Sequence, residues 1–192
     1  MIFMGLTKIH IRLTEYLMVL NRILRDTAGT FFSRQWKQTV KENIVPVEDS
    51  MLPEIFRIQA EGFKNTNREK IVRYSNSFRK TFYVIKEQDQ VAGYCVYYLK
   101  LSLSSGGFEK QSVISEIAID KNFRGRGFAD KLLKESIEEM KINRVSSILL
   151  YVNIKNQPAI NLYEKFYFRK TKEVKNVCGP GETCFEMGLR LV

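Results

Sequence analysis

The chain has 192 residues, of which 44% are hydrophobic and 12% aromatic, and its formal net charge is +10. This apolar content is enough to build the core of one domain and argues against a disordered chain. The positive charge suits a polyanionic partner or an anionic membrane without deciding between them. No stretch approaches the ~20 apolar residues that cross a bilayer, so no transmembrane segment is expected.

Histidine and cysteine are scarce, which limits the metal sites and catalytic groups that the chain can form. His10 is the only histidine and the three cysteines form no Cys-x-x-Cys pair, so we expect neither a metal site nor a histidine-based triad. An odd number of cysteines without a signal-peptide pattern predicts free thiols and a cytoplasmic protein. Cys178 and Cys184 nevertheless flank Gly179-Pro180-Gly181 and could face each other across a hairpin.

Residues 1–43 are predicted to form an N-terminal helical extension. Apolar residues recur there at helical spacing, namely Leu13, Tyr16, Leu17, Leu20, Ile23 and Leu24. Charged residues interrupt the stripe, which disfavours a signal peptide. The pattern favours a helix that packs on the rest of the chain or on a second copy in a homodimer. A helix lying on a membrane surface is the alternative.

Residues 44–192 are predicted to form one α/β domain, because β-rich runs alternate with amphipathic helical segments. We predict strands at 44–47, 81–85, 91–99, 113–120, 148–152, 168–174 and 184–191, and helices at 51–63, 66–79, 128–143 and from Pro158. In the 113–120 strand, alternation groups Ile114 with Glu116 and Ala118 on one face, opposite Ile117 and Ile119. Parallel and antiparallel strands therefore mix, with helices on both faces of the sheet.

A glycine- and arginine-rich turn joins the 113–120 strand to the following helix. A helix N-terminus presents unpaired N–H groups and the positive end of its dipole, so it attracts phosphate. Gly125 and Gly127 allow close approach of an anion, and Arg124 and Arg126 add positive charge. A P-loop is absent, and Asp130 breaks a Gly-x-Gly-x-x-Gly pattern. These features favour a phosphate-binding loop between the strand and the helix. An ordinary basic turn without a ligand is the alternative.

Two motifs resemble the GNAT (Gcn5-related) N-acetyltransferase family. Arg124-x-x-Gly127-x-Ala129, between a strand and a helix, is similar to the family's acetyl-CoA pyrophosphate loop. The run from Asn156 to Phe168 is similar to its Asn-x-x-Ala-x-x-Leu-Tyr-Glu-Lys-x-Gly-Phe motif, with Tyr167 replacing the glycine. The resemblance covers about residues 43–192. It implies a mixed, mostly antiparallel sheet with helices on both faces and a splayed central cleft.

The resemblance also implies acetyl-CoA as cosubstrate, without a metal. The backbone of Ile117, Ala118 and Ile119 would hold the pantetheine. The pyrophosphate would lie on the loop made by Arg124, Gly125, Arg126, Gly127, Phe128 and Ala129. Asn156 and Tyr163 would lie across the cleft.

The resemblance implies a general acid more clearly than a base. Tyr163 stands where the family has a tyrosine near the CoA sulfur, so it is the candidate acid, with a core tyrosine as the alternative. The ribosomal-protein-alanine acetyltransferase branch has a glutamate five residues before the asparagine, and Tyr151 occupies that position here. Glu116, a lone carboxylate in an apolar strand, is the candidate base, and a structural salt bridge is the alternative.

The C-terminal segment from Gly179 to Met187 resembles the ending of protein N-terminal acetyltransferases. The α-amine of a protein or peptide N-terminus is therefore the expected acceptor, although Val177-Cys178 replaces that branch's Tyr-Tyr pair. By resemblance alone, the substrate-side candidates are Glu61, Phe63, Asn65 and Tyr151, with a solvated surface position as the favoured alternative for Glu61. A small-molecule amine acetyltransferase and a non-catalytic acyl-CoA-binding module are the alternatives. A nucleic-acid partner rests on charge alone and is not expected.

Overall fold

The computed structural model describes residues 27, 31–32, 35–39, 41–63, 66–104 and 107–191. The predicted stripe at 13–24 and Asn65 lie outside these residues. The regular elements occur in the order β1 (Ile44–Pro46), α1 (Leu52–Gly62), α2 (Arg68–Ser77), β2 (Phe82–Glu87), β3 (Gln90–Ser104), β4 (Gly107–Ile119), α3 (Phe128–Ile142), β5 (Ser147–Asn153), α4 (Gln157–Lys165), β6 (Arg169–Lys175) and β7 (Thr183–Arg190). Every strand and helix predicted for residues 44–192 is present, and β3 and β4 are longer than predicted.

Seven strands form one sheet in the order β1-β2-β3-β4-β5-β7-β6. Only β4 and β5 are parallel, and the other neighbouring pairs are antiparallel. One core cluster lies between the sheet and helices α3 and α4, and a second lies between the sheet and helices α1 and α2. The predicted mixed, mostly antiparallel fold with helices on both faces is thereby confirmed.

The two central strands separate part-way along their length. β4 and β5 pair from Gln111 opposite Ser147 to Ile114 opposite Leu150, and beyond these residues neither strand pairs with the other. On its other side β4 has a β-bulge, because Ile114 pairs with Tyr97 and Glu116 with Val96, leaving Ser115 without an opposite residue. A bulge bends and twists its strand, so β4 turns away from β5 at Ser115. This divergence is the predicted central cleft.

The same bulge corrects the predicted faces of β4. Ile114 lies in the core cluster beneath α3, and Ile117 and Ile119 pack against that cluster. Ala118 belongs to the cluster on the opposite face. The predicted alternation is therefore wrong for Ile114, because one extra residue shifts the side-chain phase of the strand.

The hairpin between β6 and β7 carries a disulfide. Cys178 and Cys184 are bonded, with their Cα atoms 6.3 Å apart. The expectation of free thiols is wrong for this pair, because the hairpin turn returns the chain so that the two residues face each other. Cys95 is free and buried. The cytoplasmic location stays a prediction.

Residues at the end of the predicted N-terminal extension form hydrogen bonds and an ion pair with α3. Glu139 is fully buried in that helix, and its carboxylate has partners from several elements: Trp36 Nε1 at 2.7 Å, Tyr83 Oη at 2.8 Å, Thr39 N at 3.0 Å and an ion pair with Lys41. Asn143, one turn later, accepts a hydrogen bond from Lys37 N at 2.7 Å and donates one to Lys37 O at 2.8 Å. Residues 36–39 and Lys41 thus pack as part of the domain.

Tyr167 occupies the left-handed position that ends α4. Its φ is 67°. Phe168 N donates to Tyr163 O at 3.1 Å and Tyr167 N donates to Glu164 O at 3.0 Å, which is the Schellman arrangement of a helix C-terminus. The resembled family has glycine here, the residue that adopts this conformation without strain.

Replacing Tyr167 by glycine should raise the free energy of unfolding by about 0.5–1 kcal/mol. Relief of the left-handed strain is worth about 1–2 kcal/mol and the added chain entropy of glycine offsets part of it. The ring is 74% exposed, so its removal costs little packing. Urea denaturation measures the change. Tyr167→Ala is the control because it keeps the strain, and a glycine variant no more stable than the alanine variant would contradict the prediction.

Candidate active site

Gly125 and Gly127 shape the loop before α3, with φ angles of 73° and 78°. Gly127 is the N-cap residue, and no side chain caps the helix. The N–H groups of the first turn of α3 therefore lack intrahelical acceptors. A Cβ built on either glycine would meet no atom within 4 Å. The loop thus presents a positively polarised and open helix N-terminus, to which an anion has direct access.

Two exposed arginines flank this helix N-terminus. Arg124 Nε donates to the Ile119 carbonyl at 3.0 Å. The Arg126 guanidinium lies 5.4 Å and 5.2 Å from the ring centroids of Phe123 and Phe128, and its Nη2 is 2.7 Å from Glu87 Oε1. Aromatic rings, backbone and Glu87 thus hold both arginines beside the glycines, and the ion pair with Glu87 offsets part of the Arg126 charge.

Asp120 fixes the start of the loop. Its side chain is 1% exposed, accepts a hydrogen bond from Asn122 N at 2.8 Å and forms an ion pair with Arg57 of α1. Burial alone would raise the pKa of Asp120, but the hydrogen bonds from Arg57 and Asn122 hold that pKa below its ordinary value. Asp120 was not among the predicted site residues. The sequence feature that could have indicated Asp120 is its position directly after a strand, where a carboxylate can cap a short turn.

The backbone of Ile117, Ala118 and Ile119 forms one lip of the cleft. These residues pair with β3 on one side, and on the side towards β5 they have no strand partner among the described residues. Backbone N–H and C=O groups on an unpaired strand edge can bind an extended ligand as an added strand. This edge therefore lies where the pantetheine site is predicted.

Asn156 caps α4, the helix that follows β5. Its Oδ1 accepts a hydrogen bond from Ala159 N at 3.2 Å. An exposed ion pair joins Lys165 of α4 to Asp130 in the first turn of α3. The cap gives Asn156 a structural role, and its contact with a cofactor stays a prediction.

Tyr163 projects from α4 into the core cluster beneath the cleft. It is 6% exposed, and its ring lies 5.7 Å from that of Phe168. Burial, and to a lesser degree the nearby Cys95 thiol, raise the pKa of Tyr163 well above its ordinary value. The phenol therefore keeps its proton at neutral pH, as a general acid must.

Glu116 is a tightly held carboxylate. Its side chain is 9% exposed and it forms an ion pair with Lys70 at 2.9 Å. It also accepts hydrogen bonds from Gln59 Nε2 at 2.8 Å and Tyr94 Oη at 3.1 Å. Three donors occupy most of its lone pairs, so the geometry favours the structural alternative. A role as catalytic base stays a prediction.

Glu61 and Phe63 have structural partners at the end of α1. Glu61 forms ion pairs with Arg57 at 3.0 Å and Lys121 at 3.6 Å. Phe63 packs against the core cluster beneath α1 and α2. Contact of either residue with an acceptor stays a prediction.

Tyr151 is the first residue of β5 beyond its pairing with β4. It is 36% exposed, and its hydroxyl donates to Glu186 Oε2 at 2.9 Å. Glu186 is the directly opposite residue on β7. Glu186 was not among the predicted site residues. In the sequence, only the alternating apolar residues of the last strand indicated a structure. No local pattern links Tyr151 to Glu186, because the two residues are far apart in the chain.

The described part of the chain contains no cluster of three or more His, Cys, Asp or Glu side chains suited to a metal ion. In the same part, no helix combines the length and apolarity needed to cross a membrane.

Comparison with known proteins agrees with this geometry. The sequence pattern of the "Acetyltransferase (GNAT) family" matches residues 50–168. An N-alpha-acetyltransferase of Sulfolobus acidocaldarius is 30% identical over 125 residues, covering 62% of this chain and 74% of that protein. Ard1 from Thermoplasma volcanium has a TM-score of 0.70 at 20% identity, over 78% of this chain and 97% of that one. A chain from the crystal structure of the NatC complex bound to Gag peptide and CoA has a TM-score of 0.67 at 20% identity. The match covers 79% of this chain and 100% of that chain.

Proposed function

We propose, since this chain belongs to the acetyltransferase (GNAT) family, that it moves the acetyl group of acetyl-CoA directly to the α-amine of a protein or peptide N-terminus in a ternary complex. The observation that carries the proposal is the divergence of β4 from β5 beside the open N-terminus of α3. The name of the archaeal relative supports an α-amine acceptor. The neighbour with peptide and CoA supports a site that holds both.

The residues of the cleft fit acetyl-CoA. The free N–H groups of α3, together with Arg124 and Arg126, would hold the pyrophosphate. The edge of β4 from Ile117 to Ile119 that faces β5 would hydrogen-bond the pantetheine amides, and its Ile119 carbonyl is shared with Arg124 Nε. When bound, acetyl-CoA supplies an activated thioester carbonyl. Backbone N–H groups at this edge would polarise that carbonyl, and the Tyr163 hydroxyl would hold a proton for the leaving thiolate.

Gly127→Glu should weaken acetyl-CoA binding by about 100-fold or more, because it puts a carboxylate at the helix N-terminus where the pyrophosphate would bind, so that two negative charges repel each other at close range. Titration calorimetry measures the affinity. Gly127→Ala is the matched control, because it carries the same backbone strain at φ 78° without the charge. We expect the alanine variant to lose much less affinity. Unchanged binding by the glutamate variant would remove this loop from the cofactor site.

The direct test of the proposed function is release of CoA by the purified protein with a panel of acceptors. The panel holds short peptides that differ in their first residue, together with spermidine and free amino acids. We expect turnover with a subset of the peptides. Turnover with small amines alone would instead support a small-molecule acetyltransferase. Tight acetyl-CoA binding without any turnover would support a non-catalytic acyl-CoA-binding module.

A further inference from the structure

The hairpin of β3 and β4 extends past the helix that covers it. α3 covers this face of the sheet and ends at Ile142. The backbone carbonyl of the next residue, Asn143, accepts a hydrogen bond from Lys110 Nζ of β4 at 2.9 Å. β3 and β4 continue beyond Lys110, since they pair as far as Ser104 opposite Gly107. The end of the hairpin therefore projects past α3.

Three large apolar side chains lie exposed on one face of this projecting end. Leu103 and Phe108 are directly opposite each other, and Leu101 precedes Leu103 on the same face. The exposed fraction is 53% for Leu101, 76% for Leu103 and 78% for Phe108. Leu99, the next residue on this face towards the sheet, is buried in the core cluster beneath α3. The three exposed side chains, here called the hairpin patch, thus extend the apolar core past α3, and such a patch marks an interaction surface.

The N-terminal extension reaches the edge of the hairpin patch. Phe31 and Phe32 have helical backbone, and Phe32 packs against the core cluster beneath α3. Lys110 Nζ lies 5.1 Å from the centroid of the Phe32 ring, and Lys110 is directly opposite Leu101 of the patch. The neighbouring Phe31 is 60% exposed. The segment that precedes Phe31 along the chain is therefore joined to the domain beside the patch.

An apolar stripe precedes Phe31 and is in phase with it. Its leucines recur at the heptad spacing of a helix, namely Leu13, Leu17, Leu20 and Leu24. Phe31 follows Leu24 by one further heptad, and Thr27 between them has helical backbone. Heptad positions share one side of a helix. A helix continued from Phe31 towards the N-terminus would therefore turn the stripe to the same side as Phe31.

Such a helix is long enough to cover the hairpin patch. At ~1.5 Å per residue, Leu24 would lie about 10 Å from Phe31 along the helix axis. At ~3.4 Å per residue, Leu103 lies about 7 Å beyond Leu101 along its strand. A helix that follows the hairpin would therefore bring Leu24 and Leu20 over the exposed end.

We propose that the apolar stripe of residues 13–24 packs on the hairpin patch of the same chain. The connection through Phe31 and Phe32 favours the same chain over a second copy, because a tethered segment has a high effective concentration at the patch. The contact closes the apolar surface that α3 leaves open. It lies at the other end of β4 from the cleft, which opens after Ile114, so the inference does not depend on acetyl transfer.

The test is cross-linking between thiols placed on the two surfaces of the full chain. Leu24→Cys combined with Phe108→Cys puts one thiol on the stripe and one on the patch, and a short bismaleimide joins thiols that lie close together. The native cysteines do not interfere, because Cys95 is buried and Cys178 is bonded to Cys184. We expect a cross-link within one chain, seen as a linked pair of tryptic peptides at the mass of a monomer.

Arg22→Cys combined with Phe108→Cys is the matched control. Arg22 points away from Leu24 on a helix, since two residues rotate the side chain by about 200°, and this variant should lose few of its free thiols to the cross-link. Circular dichroism and acetyl-CoA affinity should be the same in both variants as in the unchanged protein, because neither substitution touches the cleft.

Three results would overturn the inference. A cross-link between two chains would assign the patch to a second copy. Equal cross-linking of the Leu24 and Arg22 variants would show that the apolar stripe is not the side in contact. Absence of any cross-link would leave the patch without this cover. In that case, co-sedimentation with vesicles of anionic lipid that Phe108→Asp abolishes would identify a lipid surface as the partner instead.

Discussion

Tyr163→Phe should lower the turnover number about 100-fold or more while the affinity for acetyl-CoA stays nearly unchanged. A positioned acid that acts mainly in the transition state contributes on this scale to the rate and little to ground-state binding. The substitution removes only the hydroxyl, and the ring keeps its place against Phe168. Steady-state kinetics with the best acceptor peptide, together with calorimetric acetyl-CoA binding, separates the two effects.

Tyr97→Phe is the matched control for this experiment. Tyr97 lies in the same core cluster, but its hydroxyl is hydrogen-bonded to Ser136 Oγ at 2.7 Å. Loss of that hydroxyl should lower stability and leave turnover largely intact. If Tyr163→Phe had the same turnover number as the unchanged protein, Tyr163 would have no catalytic role and would be a core residue only.

Glu139→Gln should lower the free energy of unfolding by about 3–5 kcal/mol, the usual cost of leaving a buried charge without its partner. Lys41 would be that charge, since its side chain is 4% exposed and pairs with Glu139. The loss is large against the ~5–15 kcal/mol that stabilises a typical domain. Trp36 is the only tryptophan of the chain and donates to Glu139, so urea titration followed by tryptophan fluorescence reports directly on this site.

The double variant Glu139→Gln with Lys41→Met tests the cause. Removing both charges should recover much of the lost stability, because a neutral pair of similar size is often as stable as a buried ion pair. A double variant as unstable as Glu139→Gln would show that the loss comes from the packing of residues 36–39 and Lys41 and not from the unpaired charge.

The same carboxylate predicts acid sensitivity. Burial alone would raise the pKa of Glu139, but the hydrogen bonds from Lys41, Thr39, Trp36 and Tyr83 hold that pKa below its ordinary value. Between the ordinary pKa and the lower pKa of folded Glu139, the unfolded chain has bound a proton that the folded chain has not. The contribution of Glu139 to stability is therefore complete above about pH 4.3, the ordinary pKa of glutamate, and is lost as the pH falls further. Glu139→Gln should show a shallower stability loss over this range, measured by urea titrations at successive pH values.

The parts of the site that depend on local pattern were predictable. Glycines between a strand and an amphipathic helix predicted the anion-accepting loop, and the left-handed φ angles of Gly125 and Gly127 agree with that interpretation. The motif from Asn156 to Phe168 predicted a helix that begins near Pro158 and carries Tyr163. Both features are set by neighbours within a few residues.

The parts that depend on strand register were not predictable. Alternation cannot reveal the bulge at Ser115, since an extra residue leaves no composition signal and yet changes which face Ile114 occupies. The pairing of Tyr151 with Glu186 exists because β5 and β7 are neighbours in one particular register. Glu116 looks like a lone carboxylate in the sequence, and its three partners come from other elements.

The most direct measurement is fragmentation mass spectrometry of a peptide with a free α-amine and an internal lysine, after incubation with acetyl-CoA and the protein. We expect the acetyl group on the α-amine alone, and none on a peptide whose N-terminus is already blocked. Acetylation of the lysine side chain, or acetylation of small amines while the peptide stays unmodified, would contradict N-terminal acetyl transfer.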